Sequence, residues 1–287
     1  MTKPAEGKLA VVTGAAAGLG ACFATKLAQR GFNLLLIDRR AEPLQQTCKT
    51  ISSRLGVSAE PCAVDLSKPT EVESLAQRIG RMADVELLVN NAGFGTTEYF
   101  VDIEASQHVD MINVHVLTPM LLTRAVLPGM IERNRGAIIN VSSLAAWSYS
   151  AGNVHYAATK TYLAVLTQSL QDELQGTSVH VQALCPGFVR TEFHAADGMK
   201  GFDMQGVPRR MWMSAEDVVE CSLRKLGSRQ VIVFPGLRYR FLGRLMQMPL
   251  FQPFVRRMTT RRRARKIQKA MPPSTEVPPT PGVAENS

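Results

Sequence analysis

The stretch Thr13-Gly14-Ala15-Ala16-Ala17-Gly18-Leu19-Gly20 decides how this chain is read. Just before it, Lys8 to Thr13 (KLAVVT) is a short apolar run with the length of a buried strand. Just after it, Leu19, Phe23 and Leu27 recur at helical spacing, so a helix is expected from Gly18 to Arg30 with Gly31 as its stop. A glycine turn between a strand and a helix reverses the chain tightly. It also gathers backbone N–H groups and the positive end of the helix at one point, which suits a pyrophosphate.

The alternation continues along the chain. Apolar strands are expected at Asn33 to Ile37, Ala59 to Asp65, Val85 to Asn90, Ala137 to Ser142, Val179 to Cys185 and Gln230 to Phe234. Helices are expected at Pro43 to Leu55, Thr70 to Met82, about Glu104 to Arg133, His155 to Gln175 and Ser214 to Leu226. Apolar strands alternating with helices imply an α/β fold, a Rossmann-like doubly wound parallel sheet of about seven strands covered on both faces. One dinucleotide-binding and catalytic domain is expected over residues 1–236, a basic amphipathic helical extension over 237–271 and a disordered Pro-rich tail over 272–287.

Four further motifs follow the turn in order. Asp65 and Leu66 lie in a VDL stretch after the third strand. Asn90-Asn91-Ala92-Gly93 follows the fourth. Tyr156-Ala157-Ala158-Thr159-Lys160 gives YxxxK after the fifth, and Pro186-Gly187-Phe188-Val189-Arg190-Thr191 follows the sixth. Together with TGxxxGxG, this series resembles the short-chain dehydrogenase/reductase family from Thr13 to Thr191. The resemblance implies a nicotinamide dinucleotide held by Gly14, Ala16, Gly18, Leu19, Gly20, Asp65, Leu66, Asn91, Ala92, Gly93, Pro186, Gly187, Val189 and Thr191, with Tyr156 and Lys160 also touching it.

Asp38 ends the second strand, 18 residues past Gly20. A carboxylate there accepts hydrogen bonds from both ribose hydroxyls and repels a 2′-phosphate, which favours NAD. Arg39 and Arg40 follow directly and could instead hold a phosphate, so NADP stays open.

On a helix, Tyr156 and Lys160 share a face. A nearby ammonium favours the phenolate, and an oxidised nicotinamide ring adds another positive charge; both should pull the phenol down from about 10. Tyr156 would then act as general acid in reduction or general base in oxidation. By resemblance, Ser143, 13 residues before Tyr156, binds the substrate oxygen, and Asn113 holds a structural water of the proton relay. Ser142 points to the other side of an extended segment. The family often has a small residue three positions after its asparagine; here that is Val116.

The implied reaction is hydride transfer between NAD(H) and an alcohol or ketone. An NADP-dependent 3-oxoacyl or other carbonyl reductase is the alternative, and a non-catalytic dinucleotide-binding regulator a remote third. Phe193, Met199, Phe202, Met204, Met211, Trp212 and Met213, with Trp147 and Tyr149, suggest an apolar substrate. A lid packed on its own core would read the same way.

The five cysteines are scattered and form no CxxC, and the five histidines show no ligand spacing, so neither disulfides nor a metal is expected. No secretory leader or run of about 18 apolar residues is seen, which points to a cytoplasmic protein, peripheral at most to a membrane. Asn140-Val141-Ser142 matches a glycosylation sequon but falls on a buried strand, and is set aside.

The net charge is +9, yet Leu237 to Ala270 holds eleven Lys or Arg and no acid, which leaves the rest of the chain near neutral at −2. Within that segment Phe241, Leu242, Leu245 and Met248 share one helical face before Pro249. Such a stretch suits a membrane surface, a contact with the body or a subunit contact. No nucleic-acid reading motif accompanies it. The family resemblance implies a homo-oligomer and a small-molecule substrate.

Overall fold

The computed structural model describes residues 8–148, 152–195, 197–199 and 201–248. Seven strands form one parallel sheet: β1 (Leu9–Thr13), β2 (Asn33–Asp38), β3 (Ala59–Ala63), β4 (Val85–Asn90), β5 (Ala137–Val141), β6 (His180–Leu184) and β9 (Ile232–Val233). Their order is β3-β2-β1-β4-β5-β6-β9. The direction of winding reverses between β1 and β4, so the loops leaving their C-terminal ends part there and open a crevice. A separate two-stranded sheet pairs β7 (Phe188–Val189) with β8 (Trp212–Met213).

Period-two alternation sorts the strand residues onto two faces. Val12, Leu36 and Val89 pack under α1 (Gly18–Ala28), α2 (Ala41–Leu55) and α7 (Ala215–Leu226), through Phe23, Leu44 and Val218. Val11, Leu35 and Leu88 pack under α3 (Pro69–Gly80) and α5 (Thr118–Glu132), through Val72, Leu122 and Met130, with Leu174 beyond the end of α6 (Val154–Glu173). Both faces are thus dry, as the run of apolar strands required. β3 departs from that pattern: AEPCA has exposed residues because it is the edge strand, where Pro61 costs no ladder bond.

The long helix expected over about 104–133 is α4 (Ala105–Ile112) and α5 joined by a π-helical turn at Asn113–Leu117, which includes Val116. Taken together, Ala105–Glu132 is long and apolar enough to cross a membrane by length and composition alone. In the fold its Leu122, Val126 and Met130 are buried against the sheet and α3, so it serves as a core helix. The final described helix, α8 (Leu237–Gln247), buries Tyr239, Gly243 and Met246. The remainder of the basic extension and the tail expected over 272–287 lie outside the described residues.

One polar network runs through the sheet. The Asn90 amide donates to the Asn140 side-chain oxygen at 2.8 Å, and the Asn140 amide donates to Thr167 at 2.9 Å, tying β4, β5 and α6 together. Asn140 is fully buried, so its sequon is inaccessible in the folded chain. Asn140→Ala removes a partner from both neighbours. Urea unfolding should show a loss of about 1–3 kcal/mol; an unchanged midpoint would mean that the network contributes nothing.

Candidate active site

The glycine turn sits at the C-terminal ends of β1 and β4. Gly14 has φ +67°, and a Cβ there would stand 2.9 Å from the Ala92 Cα. At Gly20 a Cβ would stand 2.0 Å from the Gly14 carbonyl oxygen, so a side chain at Gly20 cannot coexist with this turn. The Asn91 amide donates to the carbonyls of Thr13 at 2.9 Å and Gly14 at 3.2 Å. In return, Thr13 Oγ1 accepts from the N–H groups of Asn91 and Ala92, each at 3.0 Å. No side chain caps the start of α1. Thr191 lies against Gly18, 3.3 Å from where its Cβ would stand, which brings the segment after β6 to the turn.

Asp38, 7% exposed, accepts from the Ala16 N–H through one oxygen at 3.1 Å. Its other oxygen accepts from the Arg40 N–H at 3.0 Å and the Arg40 Nε at 3.2 Å. Arg40 also reaches Glu192 at 3.3 Å. Arg39, which the sequence also put forward, is exposed and makes no hydrogen bond or ion pair among the described residues. Asp65 lies in the turn before α3. Burial alone would raise its carboxyl, but the Ser67 N–H and hydroxyl, with Arg39 and Lys68 nearby, hold it below the usual range. Leu66 is buried, and its carbonyl accepts from Thr118.

Ser142 and Ser143 leave the end of β5 in different directions. The buried Ser142 hydroxyl donates to the Lys160 carbonyl at 2.6 Å and belongs to the packing of α6. Ser143 follows the end of β5 and lies close enough to Tyr156 to lower its phenol. Its Oγ accepts from the Ala145 N–H at 3.1 Å. Lys160, buried, donates to the Val141 carbonyl at 2.9 Å and stands 5.6 Å from the centre of the Tyr156 ring. Asn113 opens the π-helical turn, and its amide donates to the Ser67 carbonyl at 2.9 Å. Its side chain therefore ties this helix to the turn before α3.

Of the two positive charges expected to lower the phenol, Lys160 and an oxidised nicotinamide, only Lys160 belongs to the chain. Burial pushes Tyr156 up to about 12, and the nearby Ser143 only partly opposes this. Lys160 does not rescue it. Burial lowers that ammonium to about 8, so it is itself a weak source of positive charge at mildly alkaline pH. The sequence argument weighed charge without desolvation, and desolvation is the larger effect.

His115 belongs to the site, although the sequence gave no sign of it. It lies in the π-helical turn, fully buried, with its ring centre 5.8 Å from that of Tyr156. The Phe94 N–H donates to its Nε2 at 3.0 Å, which leaves the proton on Nδ1 to be donated to Thr159 Oγ1 at 3.0 Å. Thr159 donates in turn to the Tyr156 carbonyl at 2.9 Å. Burial, with Lys160 close by, keeps the imidazole neutral and far below its ordinary value. A Cβ on Gly93 would stand 2.9 Å from the His115 Nε2 and 3.4 Å from the Lys160 Nζ, so the glycine makes room for both.

The aromatic residues divide into two groups. Phe193 lies 6.0 Å from Tyr156, and it and Met199 close over Gly95. Phe202 and Trp212 pack with Phe188 and His194 as a core of their own. Trp147 packs on Phe234, and Met211 and Met213 join the same cluster. Met204 is exposed. Tyr149 lies outside the described residues. Gly187 packs against Tyr239, the Pro186 carbonyl accepts from the Leu144 N–H at 2.9 Å, and Val189 is buried in β7. Among the described residues no group of three His, Cys, Asp or Glu is placed to hold a metal.

A family model described as short chain dehydrogenase matches residues 8–200. The human protein named Inactive hydroxysteroid dehydrogenase-like protein 1 is 35% identical over 191 residues, which are 66% of this chain and 58% of that protein. Human very-long-chain 3-oxoacyl-CoA reductase is 34% identical over 193 residues, 66% of this chain and 62% of that one. The chain thus spans about three-fifths of the length of these two relatives. The NADP-dependent 3-hydroxy acid dehydrogenase of Schizosaccharomyces pombe is 33% identical over 236 residues, 79% of this chain and 90% of that one. Among solved structures, a Sphingobium yanoikuyae short-chain dehydrogenase in complex with NADPH superposes with TM-score 0.75 at 25% identity, covering 94% of this chain and 99% of that one. A Burkholderia phymatum short chain dehydrogenase/reductase in complex with NAD gives 0.70 at 25% identity, covering 94% and 98%.

Lys160 makes stability depend on pH. It titrates at about 8 in the folded chain and at 10.5 when unfolded, so the unfolded chain binds more protons between those values. Stability contributed by this group therefore rises with pH across that window. Tyr156, raised to about 12 from 10.0, acts in the opposite sense above the window. Urea titrations of the parent and Lys160→Met should differ most steeply in slope between about pH 8 and about pH 10. Parallel curves would show that Lys160 is not buried as described.

Proposed function

We propose that this chain, which belongs to the short chain dehydrogenase family, is an oxidoreductase that transfers a hydride between NAD(H) and an alcohol or ketone on an apolar substrate. The observation that carries the reading is the meeting of Ser143, Tyr156 and Lys160 beside Gly93, on the same edge of the sheet as the glycine turn.

The residues present fit a dinucleotide. The turn offers an uncapped helix start and a close backbone approach at Gly14 and Gly20, which accommodates a pyrophosphate. Asp38 would meet the adenosine ribose, Asp65 and Leu66 the adenine, and Asn91 to Gly93 with Thr191 the nicotinamide half. A bound dinucleotide supplies or accepts the hydride. The rest falls to this chain. Ser143 donates a hydrogen bond to the substrate oxygen and steadies charge that develops there. In reduction the Tyr156 hydroxyl gives its proton to that oxygen; in oxidation it takes the proton back. Lys160, held by the Val141 carbonyl, orients the phenol and supplies positive charge when protonated. Asn113 and His115 hold the helix that faces it.

Support for an apolar substrate comes from Phe193 and Met199 beside Tyr156 and Gly95. The 3-oxoacyl-CoA reductase named above acts on very long chains by its name. A second reading, NADP(H) with a 3-oxoacyl or hydroxy-acid substrate, is favoured by Arg40. It pairs with Asp38 at 3.2 Å, which offsets the carboxylate's repulsion of a 2′-phosphate, and one relative is NADP-dependent by its name. A non-catalytic role, which the word inactive in another relative's name suggests, is disfavoured because Ser143, Tyr156 and Lys160 all remain in place.

The test is turnover of a panel of ketones and alcohols, from short-chain to steroid-sized, with each of the four dinucleotides. NADH- or NAD-linked turnover should rise with substrate size and fall by on the order of 10²-fold or more in Tyr156→Phe. Faster turnover with the NADP forms would transfer the reading to Arg40. Equal rates in the parent and Tyr156→Phe would remove Tyr156 from the chemistry.

A further inference from the structure

Helix α8 has two faces with different demands. Its inner face is tied to the substrate side of the crevice. The Tyr239 hydroxyl accepts from the Phe188 N–H at 3.0 Å and donates to the Met211 carbonyl, and its ring fills the space that any side chain at Gly187 would need. Gly243 and Met246 complete the buried stripe, with Gly243 against Phe234. The sequence had grouped Phe241, Leu242, Leu245 and Met248 on one face. In the fold Leu242 and Leu245 are half-buried, while Phe241 and Met248 point outward.

The outer face is apolar at its centre. Leu237 is 78% exposed, Phe241 72% and Met248 48%, a single stripe along the helix. Arg244 lies on the same face between Phe241 and Met248, and Arg238 lies to one side; both are exposed. Arg238 donates to the Arg210 carbonyl at 2.7 Å, which adds the exposed Arg209 and Arg210 to the same rim. No acidic residue occurs from Leu237 to Ala270.

We propose that this outer face docks on an anionic lipid surface, with Leu237, Phe241 and Met248 in the acyl boundary and the arginines among the headgroups. Exposed apolar side chains interleaved with and bordered by arginines match such a surface in both respects, since long arginine side chains can extend to the headgroups. A second copy of the chain fits poorly, because an isologous contact would set these arginines against one another. The chain's own continuation fits no better: residues 249–270 add eight Lys or Arg and no acid. Nucleic acid would use the arginines but leave the apolar stripe in water. Through Tyr239 the docked helix would hold Gly187–Phe188 and the Met211 segment next to the lipid. If the apolar substrate proposed above is correct, it would then reach the site from the bilayer.

Docking is testable without any substrate. The full chain is sedimented with vesicles of phosphatidylcholine alone and of phosphatidylcholine with phosphatidylglycerol, at low and high salt. The comparison variant is the double substitution Leu237→Ser and Phe241→Ser; both residues lie on the exposed face, so the fold should be retained by circular dichroism. The parent should bind the anionic vesicles at least tenfold more tightly than the neutral ones and be partly released by salt, and the double variant should bind at least tenfold more weakly. Three outcomes would overturn the proposal. One is no binding to anionic vesicles. Another is equal binding by the double variant, which would place the contact in the arginine run alone. The third is a parent dimer that the double variant converts to monomer, which would make the stripe a subunit contact. None of these outcomes depends on turnover, so failure here leaves the oxidoreductase reading standing.

Discussion

The reciprocal hydrogen bonds between Thr13 and Asn91 hold the working edge of this protein together. The Asn91 amide closes onto the carbonyls of Thr13 and Gly14, and the Thr13 hydroxyl accepts from two successive N–H groups of the β4 loop. In a parallel sheet the C-terminal ends of neighbouring strands part at the switch point, and something must satisfy the backbone groups exposed there. Here the two loops satisfy each other. This is why Gly14 can approach Ala92 so closely, and why the start of α1 is left free of any side-chain cap.

The second half of the site hangs from β5 and α6. Ser142 binds the Lys160 carbonyl, Lys160 binds the Val141 carbonyl, and Ser143 is left to face Tyr156. His115 then ties the helix carrying Tyr156 to Phe94, which directly follows the Asn91 staple. The two halves are therefore linked through one neutral imidazole. A charged group at that position would face Lys160 at close quarters, so burial that suppresses protonation of His115 also protects the lysine from a repulsive neighbour.

Much of this was legible in the sequence because it is local. TGxxxGxG, NNAG and YxxxK each lie on a few consecutive residues, so the family resemblance can be read from them directly. The choice of Ser143 over Ser142 rested on the family's 13-residue spacing to Tyr156. What was illegible is remote in sequence. The pairing of His115 with Phe94 and Thr159, of Arg40 with Glu192, and of Tyr239 with Phe188 all require tertiary knowledge. The small β7–β8 pair was missed because neither Phe188–Val189 nor Trp212–Met213 lies in an apolar run like that around β9. The burial of Tyr156 was also illegible, because spacing reports which charges are near but not how much water has been removed.

The most direct test of the account is equilibrium binding of NADH and NADPH to the intact chain and to Gly20→Val, followed by quenching of tryptophan emission. A valine at Gly20 would drive its Cβ into the Gly14 carbonyl and displace the turn. The account predicts saturable binding of at least one dinucleotide by the parent, and a loss of at least about tenfold in a variant whose circular dichroism is unchanged. A well-folded parent that binds neither dinucleotide, or a folded variant that binds as tightly as the parent, would contradict it.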